Sequence, residues 1–355
     1  MTERKPESLY ERIRNSTVNG ELPKEFSLPS PEGEEWLWAD GAFDGVALYH
    51  TTLEEPDDET IGRMGEALRA AGESRFEEAD VLFQKVGKRI PPIALFDTLQ
   101  SYILSHEYEL DPNVLFQYAV HLLRESADRN LVKFGFCIIE LISGVRDDLM
   151  DVIRTLGLSD EFTLFASRVM ADFPDANHEL FQLAQKVHGW GRIHLSECIK
   201  PENEEIRKWF LLDAVHNDVM PVYSALTCWE KSDAASVLKR PMSREERNGI
   251  RDILLGMLDE GPVPGILLLG DRESVILKFL GVLRREACEQ EDLRAVTELR
   301  EWAQSHGENQ TILTACRILL DQPQYRQMIR EAELCKECAL PAESHKKDAA
   351  EEQEK

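Results

Sequence analysis

Asp111-Pro112-Asn113-Val114-Leu115-Phe116-Gln117-Tyr118-Ala119-Val120-His121-Leu122 carries a pattern that recurs through most of this chain. Leu115, Tyr118, Ala119 and Leu122 stand at i, i+3, i+4 and i+7, so a helix places all four on one face. Asp111 precedes Pro112, which puts proline at a first helical position where its missing N–H costs nothing. Ile250, Ile253, Leu254, Met257 and Leu258 repeat the template, as do Ile312, Ala315, Cys316, Leu319 and Leu320. Phe76, Ala79, Phe83 and Val86 follow it with one gap. From about Asp57 onwards this period dominates, and no series of alternating strands competes with it.

Stops and starts come often, near Gly72, Pro91-Pro92, Asp111-Pro112, Gly144, Gly157, Phe173-Pro174, Pro201, Pro221, Pro241, Gly261-Pro262 and Pro323. Ser243-Arg244-Glu245-Glu246 matches a capping box, and Ser159-Asp160-Glu161 is a looser start of the same type. Phe173-Pro174 approximates another proline start. Gly265–Gly270 reads as a short apolar helix, with Asp271 capping the next. Short helices joined by short loops then recur as pairs at intervals of roughly 30–40 residues, the spacing of helical-repeat families. Each pair has an apolar face that it cannot bury alone, and stacking is the physical solution.

One segment carries a family resemblance. Glu204-Glu205-Ile206-Arg207-Lys208-Trp209-Phe210-Leu211-Leu212-Asp213-Ala214-Val215 opens with acidic residues, continues with an apolar residue followed by arginine, and runs to near Asn217-Asp218. It resembles the second helix of a HEAT repeat. Val187–Glu197 joined to this helix, and Ala39–His50, resemble bacterial proteins of unassigned function, which implies no activity. The expected fold is all-α: a right-handed superhelix of about eight or nine stacked antiparallel helix pairs, a HEAT/armadillo-like α-solenoid. A short, turn-rich N-terminal arm over residues 1–56 would pack on or cap the first pair. The repeat domain then covers 57–340, and 341–355 form a solvated acidic tail. Within the arm, residues 7–15 read as a helix. Residues 34–50 read equally as a hairpin, pairing Trp36–Trp38 with Val46–Tyr49, or as a helix from Gly41 to His50.

Composition narrows the function. The 355 residues hold 66 Asp and Glu against 41 Lys and Arg, a formal net charge of −25. Binding to nucleic acid or an anionic membrane needs a basic stripe, and Arg284-Arg285 and Lys346-Lys347 are only isolated pairs. Such a surface suits solubility, or a basic partner. No apolar run approaches the roughly 18 residues of a membrane helix, and Met1–Glu7 has no apolar segment of a signal peptide behind its charges. Seven cysteines, singly spaced but for Cys335-Lys336-Glu337-Cys338, fit reduced thiols. The expected location is the cytoplasm.

His188-Gly189-Trp190-Gly191-Arg192-Ile193-His194-Leu195-Ser196-Glu197-Cys198 is the most unusual stretch. His194 and Cys198 share a helical face, and His188 and His216 can approach from neighbouring helices, which makes a zinc or catalytic site conceivable. A structural reading covers the same residues. Gly189 and Gly191 let the chain turn sharply, Trp190 fills the corner, and His188 or Arg192 holds backbone carbonyls at a helix end. His188, Trp190, Arg192, His194, Glu197 and His216 are accordingly the candidate binding residues, with no catalytic role, metal or cofactor assigned. Phosphate-cradling glycine loops, nucleophile elbows, zinc-protease helices and calcium loops are absent from the sequence. The leading expectation is a non-enzymatic scaffold for a protein or peptide. Its alternative is a small-molecule or metal-dependent enzyme centred on His188–His216.

Overall fold

The structure, a computed structural model, describes residues 6–29, 38–142, 147–261, 263–285, 289–307 and 310–338, without the side chains of 147, 148 and 332–338. These residues are all-helical, with nineteen α-helices, one 3-10 turn and no strand beyond an isolated bridge between Val18 and Glu21. The arm contributes α1 (Leu9–Ser16) and α2 (Ala42–His50). Then come α3 (Asp58–Gly72), α4 (Phe76–Arg89), α5 (Pro92–Ser105), α6 (Pro112–Glu125), α7 (Arg129–Leu141) and α8 (Asp147–Gly157). The middle holds α9 (Asp160–Met170), α10 (Ala176–Ala184), α11 (Trp190–Cys198), α12 (Glu204–Leu212), α13 (Val222–Lys231) and α14 (Ala234–Val237). The last group is α15 (Arg244–Leu258), the 3-10 turn Ile266–Leu268, α16 (Arg272–Leu283), α17 (Gln290–Ser305), α18 (Gln310–Leu320) and α19 (Pro323–Cys338).

Local chemistry accounts for many of these boundaries. Asp57, Asp128 and Asn203 each accept the amide proton three residues on, capping α3, α7 and α12. Asp111 caps α6 through the Asn113 amide at 2.8 Å, with Pro112 at the first helical position. Ser243 and Glu246 form the anticipated capping box of α15. Leu115, Tyr118, Ala119 and Leu122 are no more than 1% exposed, so the periodic face is the buried one.

Packing follows a rule. From α3 to α19 each odd-numbered helix packs on the next odd-numbered one, giving a continuous row. Even-numbered helices lie against this row, among them α4 on α3, α6 on α7, α8 on α9, α12 on α13 and α18 on α17. One contiguous apolar core results, running from Leu9 to Tyr325. No helix among the described residues is long and apolar enough to cross a membrane.

Several expectations need correction. Among the described residues the arm helices seat away from the expected first pair: α1 packs on α6 and α8, and α2 packs on α9. Leu9 and Ile13 are buried there, and the Leu9 amide donates to the Ser126 carbonyl at 2.9 Å. Residues 42–50 are helical, which removes one strand of the hairpin alternative; Trp36 lies outside the described residues. The apolar run before Gly270 forms only one 3-10 turn, and Asp271 makes no side-chain cap. Helix α10 starts after Asp175, whose backbone is left-handed (φ 55°), so Pro174 stands ahead of the helix. Helix α12 stops at Leu212, short of Asn217. The 341–355 tail and the side chains of Cys335 and Cys338 lie outside the described residues.

Candidate binding face around the second helix

Helix α2 sits on the row through charges. Asp44, only 2% exposed, meets the buried Lys133 ammonium of α7 at 2.6 Å, and Lys133 meets Glu161 of α9 at 2.6 Å. Glu161 also accepts from the Gly41 amide at 2.9 Å and pairs with Arg129 at 3.2 Å. Arg129 reaches Asp40 at 3.0 Å and donates to the carbonyls of Leu28 and Pro29. Burial raises the pKa of Asp40 and Asp44, against the pull of Arg129 and Lys133 respectively. Burial also opposes charge on Lys133 and Glu161, but their mutual attraction, with Asp44 and Arg129, outweighs it and keeps both ionised. Two cations of α7 thus hold three carboxylates from two other segments, residues 40–44 and α9.

Helix α11 begins beside the start of α9. Asp160, at the start of α9, accepts the Gly191 amide at 2.8 Å and that of Gly189, so one carboxylate caps the α11 N-terminus from another helix. A Cβ on Gly191 would lie 2.5 Å from the Thr163 hydroxyl, so close approach of the two helices requires glycine there. Neither Gly189 nor Gly191 has a positive φ, and at Gly191 the glycine also serves this close contact. Burial, helped by Asp40, pushes the Asp160 carboxyl up to about 6.

Arg192 performs the anticipated structural role. Its guanidinium donates to the Val187 carbonyl at 2.8 Å and the His216 carbonyl at 2.9 Å, and lies 3.2 Å from His188 Nδ1. The Asp218 amide in turn donates to the His188 carbonyl at 2.7 Å. The His216 ring faces away to Asp252 of α15 at 3.5 Å. At the other end of α11, the Lys231 ammonium donates to the carbonyls of Ser196, Glu197 and Ile199, each at 2.7 Å. Both ends of this nine-residue helix are therefore held by side chains from other elements.

Aromatic rings join α2, α11 and α13. Tyr49 lies 5.9 Å from Trp190, 6.2 Å from His194 and 5.3 Å from Tyr223, ring centre to ring centre. Trp190 and Tyr223 are 4.9 Å apart. The Tyr49 hydroxyl donates to Glu197, and His50 is hydrogen-bonded to the Tyr223 hydroxyl. A Cβ on Gly45 would strike the Trp190 ring at 2.2 Å, so only glycine lets α2 settle this closely. His194 is 3% exposed, and its Nε2 has no hydrogen-bond partner. Burial alone brings its pKa down to about 4, which leaves the ring neutral at pH 7.

The six sequence candidates thus divide. Trp190, His194 and Glu197 gather beneath α2, whereas His188, Arg192 and His216 bind the loop that follows α12 to the start of α11. The three histidines have different neighbours, Tyr49 and Trp190, Arg192, and Asp252, and do not share a centre. Among the described residues no group of three or more His, Cys, Asp or Glu side chains is placed to hold a metal ion. Tyr49, His50 and Tyr223, together with the Lys133 seat, were missed by sequence reasoning. For Tyr49 and His50 the advance signal was the aromatic, lysine- and arginine-free character of Ala39–His50. Comparison with known protein families, with curated proteins and with solved structures finds no match.

Proposed function

We propose that this protein is a non-enzymatic, cytoplasmic scaffold whose helix pairs wind as a HEAT-like α-solenoid and hold a protein or peptide. The observation that carries the reading is the row of odd-numbered helices from α3 to α19, each packed on the next over one core. A chain built this way gains stability from neighbour contacts and presents a long preformed surface, which reduces the entropy lost on binding. The residues that suggested chemistry have structural partners instead: Arg192 on carbonyls, His216 on Asp252, and His194 under aromatic rings. The net charge of −25 suits a basic partner.

The test retains polypeptides from extracts of the cells that make the protein on the immobilised full-length chain, at about 0.15 M salt. Mass spectrometry then identifies what is bound. A polypeptide held in near-equimolar amount supports the reading. Metal content of chelator-free protein and consumption of metabolites from the same extract are measured alongside. Stoichiometric metal that disappears in His194→Ala, or turnover with no polypeptide retained, would replace the scaffold with an enzyme centred on His188–His216.

A further inference from the structure

We propose that the outward face of α2, built from Trp38, Phe43, Val46 and His50 with Tyr223 beside it, docks a basic polypeptide segment carrying an apolar anchor. This rests on the reading of the protein as a binding scaffold and names the site and the chemistry of its partner.

The first observation is that α2 buries a charge and shows a large ring. A helix on a protein surface ordinarily turns its large apolar residues inward and its charges to water. Here Asp44 is 2% exposed and lies on a buried lysine, while Phe43 is 41% exposed and Trp38 46%. Phe43, Val46 and His50 stand at i, i+3 and i+7 and so share one face. Trp38 meets Phe43 edge to face at 5.9 Å and extends that face beyond the helix start. Tyr223, hydrogen-bonded to His50, extends it at the other end. Large aromatic anchors of this type dominate the energetics of polypeptide interfaces.

The second observation is that the face is rigidly seated. The Asp44–Lys133–Glu161 and Asp40–Arg129 pairs fix α2 from below, and Gly45 lies directly over the Trp190 ring. A partner therefore meets a preformed surface.

Charge selects the occupant. Between Trp38 and Gly62 the sequence contains no lysine or arginine, and Glu54, Glu55 and Asp58 are exposed there. Glu197 borders Tyr49, and the exposed Asp259 lies close enough to Tyr223 to add to the upward push that burial gives its pKa. Lys231, near Glu197, has its ammonium engaged by three carbonyls. Glu197 and Asp259 beside these rings attract a basic segment, whose arginines also stack favourably on Trp38. A second copy of this chain would bring the same acidic groups and meet repulsion.

The experiment titrates the full-length chain into two labelled amphipathic helical peptides with one apolar face of leucine and tryptophan. One has lysine and arginine on its polar face, the other glutamate; fluorescence anisotropy at about 0.15 M salt reads affinity. The wild type is expected to bind the basic peptide at least about tenfold more tightly than the acidic one. Trp38→Ser and Phe43→Ser should each weaken it by about fivefold or more while the chain stays folded in thermal unfolding, since nearly half of each residue is already exposed. Tyr108→Ser, which alters a 96% exposed ring elsewhere, should leave affinity unchanged.

The proposal is overturned if the wild type ignores the basic peptide, prefers the acidic one, or loses no more affinity in Phe43→Ser than in Tyr108→Ser. Concentration-dependent dimers in sedimentation, lost in Phe43→Ser, would overturn it by making a second copy the occupant. A polypeptide retained from cell extract equally by wild type and Phe43→Ser would sink this site while leaving the scaffold reading standing. An extract that yields no polypeptide at all would sink both.

Discussion

His194 and Asp160 sit one helix apart, and burial shifts their titrations in ways that oppose each other. The His194 ring has a folded pKa of about 4 against an ordinary 6.5, so its contribution to stability is full above pH 6.5 and is lost as pH falls toward 4. Asp160 has a folded pKa of about 6 against 3.8, so its contribution is full below pH 3.8 and is lost as pH rises through 6. Over pH 5 to 7.5 the two partly cancel in the wild type, and single substitutions separate them. His194→Leu should gain about 2 kcal/mol relative to wild type when unfolding is moved from pH 7.5 to pH 5. Asp160→Asn should show the reverse trend, gaining about 1 kcal/mol relative to wild type between pH 5 and pH 7.5. Denaturant titrations at the two pH values check both, and parallel pH dependence in all three proteins would refute the assignment. Trp190 and His194 were visible in the sequence as an odd cluster between glycines. Their ring partners were not, because Tyr49 and Glu197 are 148 positions apart and His50 and Tyr223 are 173 apart.

Helices of this protein depend on caps and on a few buried charges, and the two differ in consequence. The Ser243–Glu246 box lies on the surface at the start of α15, so Ser243→Ala is expected to cost about 1 kcal/mol in chemical denaturation. Loss of the Lys133 ammonium is more severe. Lys133→Met leaves Asp44 and Glu161 facing each other in the interior with Arg129 as the remaining cation. A loss of about 3–5 kcal/mol is expected, together with earlier proteolysis of the segment around α2. A loss within about 1 kcal/mol would mean that the seat is wetter than its burial implies. Capping signals such as Asp111-Pro112 and Ser243-x-x-Glu246 were legible because donor and acceptor are three residues apart or fewer. The Lys133 seat was illegible because its members come from α2, α7 and α9, and a lone lysine inside the apolar period of α7 carries no mark of its partners.

For the molecule as a whole, a row of stacked helices predicts an extended particle. A compact chain of this length has a radius of gyration of about 20 Å, and solution X-ray scattering of the proposed superhelix should exceed that value clearly. A value near the compact figure would count against winding as a superhelix. The all-helical class followed from the sequence alone, because the 3.6-residue period and the proline, glycine and aspartate punctuation act over a few residues. Charge likewise needed no coordinates: 66 acidic against 41 basic residues give a formal −25 in any fold. Only the tertiary structure decided that α1 lies on α6 and α8 and α2 on α9, and that α2 buries Asp44, turns Tyr49 onto Trp190 and shows Phe43. Those outcomes depend on contacts between residues far apart in sequence, such as Asp44 with Lys133 and Tyr49 with Trp190. No local pattern encodes such contacts.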